Sequence, residues 1–153
     1  MKLGVFTVLF SDMSFEDMLD HVRESGLKAV EIGTGGYPGN AHCNVDELLE
    51  SEDKRQEYLE KVHSRGLTIC SFSCHGNPLS PDEDFAKESH DIFVKTVKLA
   101  KLLDVPVVNT FSGTPAGAEG DKTPNWPVTP WPGEYSDVLE WQWREKLIPY
   151  WKE

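Results

Sequence analysis

The chain has 153 residues, with 26 Asp and Glu against 15 Lys and Arg, a formal net charge of −11. That length allows one domain or part of one, and 39% hydrophobic with 10% aromatic residues can bury a core, which argues against intrinsic disorder. The acidic balance disfavours a nucleic-acid-binding surface, and no run approaches the roughly 20 apolar residues of a membrane span.

Residues 3–10 form an apolar run followed by Ser11, Asp12 and an acidic helix, without a small-residue cleavage site. They read as a first strand rather than a leader peptide. Ser14 and Asp17 then mark a capping-box-like helix start, and Phe15, Met18, Leu19 and Val22 recur at i, i+3, i+4 and i+7. Gly26 closes this helix. The second unit is a strand over 27–32, a Gly-rich loop and an acidic helical region from about 45 to 65, closed by Gly66. The third is a strand over 67–74 and a helix from about 84 to 103, with Phe85, Ile92, Phe93, Val97, Ala100 and Leu103 as its stripe. The fourth is a strand over 107–111, a long Pro/Gly/Trp loop, and a helix starting near Ser136 with Leu139, Trp143, Leu147 and Tyr150 on one face.

Strand starts near 2, 27, 67 and 105 make an internal βα repeat, which means a parallel sheet with right-handed crossovers. A dinucleotide-binding fold would need its glycine fingerprint between the first strand and helix. The only Gly-rich segment, 33–39, follows the second strand and carries Pro38 where the last glycine belongs. The prediction is therefore α/β, the first four βα units of a (β/α)8 barrel, a fold that takes about 250 residues. Three cysteines, two of them (Cys70 and Cys74) in one apolar stretch, do not make a disulfide framework, so a reducing cytoplasm is expected.

Strict alternation along strand three puts Leu67, Ile69, Ser71, Ser73 and His75 on one face, and Thr68, Cys70, Phe72 and Cys74 on the other. The apolar face is expected against the helices, and the small polar face, ending in His75, in the barrel mouth. A residue such as His75 at the C-terminal end of a barrel strand reads as functional; the bland alternative is a histidine hydrogen-bonded in a loop. Glu31 interrupts an apolar strand near its end, as a carboxylate on a pocket floor or in a structural ion pair would. Asn109, Thr110 and Ser112, ending strand four, suit sugar hydroxyls, although both parities there carry an apolar residue and leave the inward face open. Trp126 and Trp131 lie in a lid-like loop of about 114–135, where indole faces can stack on a sugar or simply cap apolar surface. Trp141, Trp143 and Trp151 read as core or interface. His42-Cys43 with Cys74-His75 lacks zinc-ligand spacing. His21, His63 and His90, and the acidic run 47–60, read as solvated helix surface.

Ala29-Val30-Glu31-Ile32, Ser73-Cys74-His75-Gly76-Asn77-Pro78-Leu79 and Phe111-Ser112-Gly113 end three successive strands in an order that resembles the xylose-isomerase-like TIM-barrel superfamily. Asn125-Trp126-Pro127 through Trp131-Pro132, then Trp143 and Pro149-Tyr150-Trp151, resemble its uncharacterised sugar phosphate isomerase/epimerase branch. The resemblance covers the whole chain but only the N-terminal half of that domain. It implies a sugar or sugar-phosphate substrate, a divalent metal (Mn, Mg, Zn or Co) at the barrel mouth, and proton transfer through an enediolate. By the same resemblance, Glu31 and His75 are the catalytic candidates, and Asn109, Thr110, Ser112, Trp126 and Trp131 the substrate contacts. His75 is also a candidate metal contact, while the principal metal ligands come from strands five to eight, beyond this sequence. The 153 residues alone are thus expected to bind metal weakly and to show no turnover. Two alternatives remain open: an endonuclease IV-like phosphodiesterase, disfavoured by the charge, and a non-catalytic half-barrel. Open strand edges are expected to make the isolated chain aggregate, or pair as two copies into eight strands; no membrane partner is expected, and nucleic acid is disfavoured.

Overall fold

The computed structural model describes residues 2–153. Four strands, β1 (Gly4–Phe6), β2 (Ala29–Gly33), β3 (Thr68–Ser73) and β4 (Val108–Asn109), pair in parallel in the order β1-β2-β3-β4. The helices between and after them are α1 (Phe15–Glu24), α2 (Val45–Glu50), α3 (Glu52–His63), α4 (Glu83–Leu102), α5 (Glu134–Trp141) and α6 (Ile148–Lys152). This is the predicted half of a (β/α)8 arrangement, with the sheet open. The chain divides into two compact units. One holds everything up to His75 together with Asp91–Thr110; the other holds Gly76–His90 and Phe111–Glu153. No helix among the described residues is long and apolar enough to cross a membrane.

In the first unit, the Ser14 hydroxyl accepts from the Asp17 amide at 3.1 Å and starts α1 as the capping pattern predicts. Met18, Leu19 and Val22 of α1 are fully buried against Val30, Ile32 and Phe72 of the sheet. Phe15 stacks on Tyr58 of α3, ring centroids 4.5 Å apart. The acidic stretch expected as one helical region is two helices. Ser51 is extended (φ −126°, ψ 121°), ends α2, and caps α3 by accepting from the Lys54 amide. Its hydroxyl supplies a helix start that a continuous helix would have left unused. Ion pairs fasten these helices. Arg65 meets both carboxylate oxygens of Asp20 at 2.9 and 3.1 Å, a bidentate bond that holds that carboxyl below its usual range.

Strict alternation fails in β3. Val30 pairs with Ile69 and Glu31 with Ser71, so Cys70 is an extra residue, a β-bulge. Leu67 and Ile69 belong to the core before it, Phe72 after it. The expectation that Leu67 and Ile69 share a face with Ser71 and Ser73 is therefore corrected. The bulge shifts the phase by one, and Cys70, whose thiol donates to the Val30 carbonyl, takes the exposed side.

The α4 stripe also differs from expectation. Phe85 and Val97 are exposed, whereas Ser89, Thr96, Leu99, Ala100 and Leu103 are buried. Thr96 is tolerated there because its hydroxyl shares a hydrogen bond of 2.8 Å with that of Thr34.

Burial pushes the Cys43 thiol up to about 12 from its ordinary 9.0. The unfolded thiol ionises first, so this group's contribution to stability is lost as pH rises from 9 towards 12. Unfolding free energy measured across that interval should fall, and fall less in Cys43→Ala. At pH 8 one thiol, Cys70, should react rapidly with an alkylating reagent, while buried Cys43 and Cys74 react only with opening of the fold. Mass mapping of the alkylated sites reads this out; rapid modification of Cys43 would contradict it.

In the second unit, α5 runs into a π-helical turn, Gln142–Leu147, before α6. Of the expected face of Leu139, Trp143, Leu147 and Tyr150, Leu147 is fully buried and Leu139 and Tyr150 are half-buried, but Trp143 is 45% exposed, and Gln142, outside that face, is fully buried. Gln142 and Leu147 lie five positions apart, the repeat of an i→i+5 turn rather than of an α-helix. Gln142 Nε2 donates to the Ala116 carbonyl at 2.8 Å and to the Asn125 carbonyl. Between those anchors the chain doubles back through an antiparallel bridge of Ala116 with Pro124.

Candidate functional site

Parallel pairing brings the C-terminal ends of β2, β3 and β4 together in the first unit, and Glu31, Ser73 and Asn109 lie there on one face. Opposite that face, Val30, Ile32 and Phe72 are core, and Val108 packs on it. This resolves the open question at strand four: Asn109 is the residue turned towards Glu31. Its Nδ2 donates to Glu31 Oε1 at 3.1 Å, and the Ser73 hydroxyl donates to the same oxygen. The carboxylate at the end of an apolar strand is thus paired with two neutral donors, one on the adjacent β3 and one on β4 beyond it. Neither donor is a cation, so these bonds are not the structural ion pair that is the alternative reading. Both of these bonds fall on Oε1.

His75 lies two residues beyond β3, at the same end as Glu31, half-buried and edge-on to Phe6 at 6.5 Å. The loop after β2 is tied to it. Thr34 N donates to the Ser73 carbonyl at 2.9 Å, and Tyr37 N to the His75 carbonyl at 2.8 Å. Gly36 (φ +67°) approaches so closely that a Cβ would stand 2.1 Å from the His75 carbonyl oxygen, so only glycine fits. Thr110 turns its hydroxyl back to the Cys74 carbonyl at 3.2 Å.

The remaining candidates belong to the second unit. Ser112 is exposed, and its carbonyl accepts from Trp151 Nε1 at 2.8 Å. Trp126 meets Trp143 edge-on at 6.0 Å, and Trp131 is 80% exposed. Trp143 and Trp151 are also partly exposed rather than core. His90, expected as solvated surface, shares a 2.9 Å hydrogen bond with Tyr150. His42 is buried in the first unit, its Nε2 3.2 Å from the Met13 carbonyl.

Ser73 is the site residue that reading for chemistry missed. Its signal was present: a small hydroxyl one register step from Glu31, on the strand that ends in His75. As for a divalent metal, this end offers one carboxylate with an oxygen already doubly bonded, one imidazole, and neutral amide and hydroxyl groups. Among the described residues no three His, Cys, Asp or Glu side chains converge. Hard cations want several charged or carbonyl oxygens, so these residues do not by themselves fit a resident metal.

Residues 19–145 match the family described as Xylose isomerase-like TIM barrel. Over 154 residues the chain is 43% identical to the "Uncharacterized protein YfiH" of Bacillus subtilis, covering 99% of this chain and 49% of that protein. The chain spans about half the length of this curated relative. Among solved structures it resembles a "Putative Xylose isomerase" from Rhodospirillum rubrum, with TM-score 0.58, 18% identity, and 99% of this chain against 50% of that one. It also resembles the "probable 3-DHS dehydratase AsbF" of Bacillus anthracis, with TM-score 0.53, 22% identity, and 79% against 42%. At such identities the solved structures bear on the fold alone. The match over most of the chain and the parallel four-stranded βα repeat agree, and the chain belongs to the xylose isomerase-like TIM-barrel family.

Proposed function

We propose that the chain supplies the N-terminal half of the active site of a sugar or sugar-phosphate isomerase or epimerase. The observation that carries this reading is Glu31, oriented by Ser73 of the adjacent β3 and Asn109 of β4 beyond it, at the C-terminal ends of the strands. Family membership supports the same class of chemistry. In this reading Glu31 moves a proton at the carbon next to a sugar carbonyl, through Oε2. Ser73 and Asn109 hold the carboxylate in one orientation, which a general base needs before its basicity matters. His75 contacts a substrate hydroxyl, and Thr110 is a sugar contact. No step is assigned to a metal from these residues.

The test is a chimera in which this chain replaces the matching half of the B. subtilis relative, assayed against ketose and aldose panels in deuterated water. Turnover with deuterium entering the substrate carbon is expected, falling about 10²–10⁴-fold in Glu31→Gln. Turnover indifferent to Glu31→Gln, or substrate conversion without deuterium entry, would overturn the assignment. Steep salt-dependent binding to duplex DNA would instead favour a phosphodiesterase.

A further inference from the structure

The sheet ends on each side in a strand paired along one edge only, β1 on one side and β4 on the other, and both belong to the first unit. The edge at β4 is defined atom by atom. The Val107 carbonyl accepts from Phe72 N at 3.0 Å, and the Asn109 carbonyl from Cys74 N at 3.0 Å, both across to β3. Backbone groups alternate in direction along a strand, so the N–H and C=O of Val108, between those two residues, point to the open side. Beside them the Val107 side chain is 47% exposed, and on the opposite edge Leu3 is 66% exposed. Open backbone groups next to exposed aliphatic side chains are the template that an added strand covers. The face that carries Glu31 is not closed over either: Cys70 is exposed, and Glu31 and Asn109 are half-buried. Sheets made only of parallel strands are normally covered on both faces.

The geometry of the two edges selects a second copy of this chain as the occupant. The strand order is sequential and every pair is parallel. A two-fold axis running along the strands therefore sets β4 of each copy beside β1 of the other with the parallel direction kept. Pairing of like edges would leave the other edge of each copy open. Two sets of four strands make eight, the number at which a parallel sheet closes around an interior that side chains fill. Charge agrees with this arrangement. Lys2 at the start of the β1 edge and Asp104 ahead of β4 are both exposed, and both lie at the N-terminal end of the sheet. The two-fold brings each lysine to the edge where the partner copy carries the aspartate.

We infer that the 153-residue chain associates as a two-fold dimer in which β4 of each copy pairs with β1 of the other and closes an eight-stranded parallel sheet. The dimer sets a second group of Glu31, Ser73 and Asn109 at the same mouth. The inference stands apart from the role proposed for Glu31, since strand edges and not the carboxylate form the contact.

The experiment is light scattering coupled to size exclusion, on the 153-residue chain at micromolar concentration. The expected mass is twice 17.3 kDa. Val107→Lys and Leu3→Lys each set a charge against one strand edge. Each contact joins β4 to the partner's β1, so either single change touches both contacts. Each should raise the dimer's dissociation constant at least about tenfold. Both side chains are exposed, and they lie on different edges, so a variant that fails to fold by circular dichroism leaves the other to decide. A monomer, a ladder of larger species, or a dimer indifferent to both lysines would overturn the inference. A one-to-one complex with the remaining half of the B. subtilis relative, formed in preference to the dimer, would assign the edges to that half and overturn it too. Mass is read without turnover, so a failed chimera assay and a failed dimer are told apart.

Discussion

Phe72→Ala is expected to lower the unfolding free energy by about 3–5 kcal/mol, the range for emptying a buried aromatic site. Phe72 is fully buried in the middle of the sheet, opposite Ile32 on β2 and Val108 on β4. Its ring joins the strands to the apolar cluster that includes Met18, Leu19 and Leu99. Single domains are commonly stable by only about 5–15 kcal/mol, so the variant forfeits a large share of whatever margin exists. Urea unfolding followed by circular dichroism measures the change. Val128→Ala, at a side chain 91% exposed, is the matched control and should stay within about 0.5 kcal/mol. A Phe72→Ala loss as small as the control's would show that the core is not organised around this ring.

Gly36→Ala should be the most damaging single-methyl change in the chain. Two effects add: φ +67° disfavours any L side chain, and the new Cβ would collide with the His75 carbonyl, a backbone group that cannot rotate away. Gly39→Ala separates them, because Gly39 has the same φ of +67° with nothing within 4 Å of its Cβ position. The Gly39 variant should lose about 1–2 kcal/mol from backbone strain alone. The Gly36 variant should lose clearly more and should release the Tyr37 amide from His75, read as faster hydrogen exchange at Tyr37. Equal losses in the two variants would mean that the close approach of the β2 loop to His75 does not exist in solution.

The order of strands and helices was legible because each βα unit carries its own punctuation: Ser14 at a helix start, Gly26 and Gly66 at helix ends. Glu31 was legible for a different reason, as a charge where the strand around it is apolar. What escaped reading depended on residues acting across the fold. Thr96 is buried because Thr34, sixty-two positions away, shares its hydrogen bond, and no periodicity within α4 announces that. Gln142 is buried because two distant carbonyls need its amide, and the π turn that places it moves the apolar face away from the 3.6-residue stripe. The bulge left a trace, since Ile69 and Phe72 are both core yet three apart, a spacing that no unbroken strand can bury on one side. Strict alternation did put Ser73 on the polar face with His75; the residues it misplaced are Leu67 and Ile69, which the bulge sends to the core.

Cys70 works as a one-residue frameshift in a code of period two. Before it, odd-numbered positions of β3 answer to the core; after it, even-numbered ones do. Removal of that single codon would force the strand to read in one frame throughout. Either Ile69 would turn outward, or Ser71 and Ser73 would turn inward and Glu31 would lose its hydroxyl partner. Substitution at Cys70 leaves the count of residues intact and so preserves both frames. A substitution at Cys70 is therefore expected to be tolerated where a deletion is not, a constraint on length that lies in the spacing of the strand more than in the chemistry of the thiol.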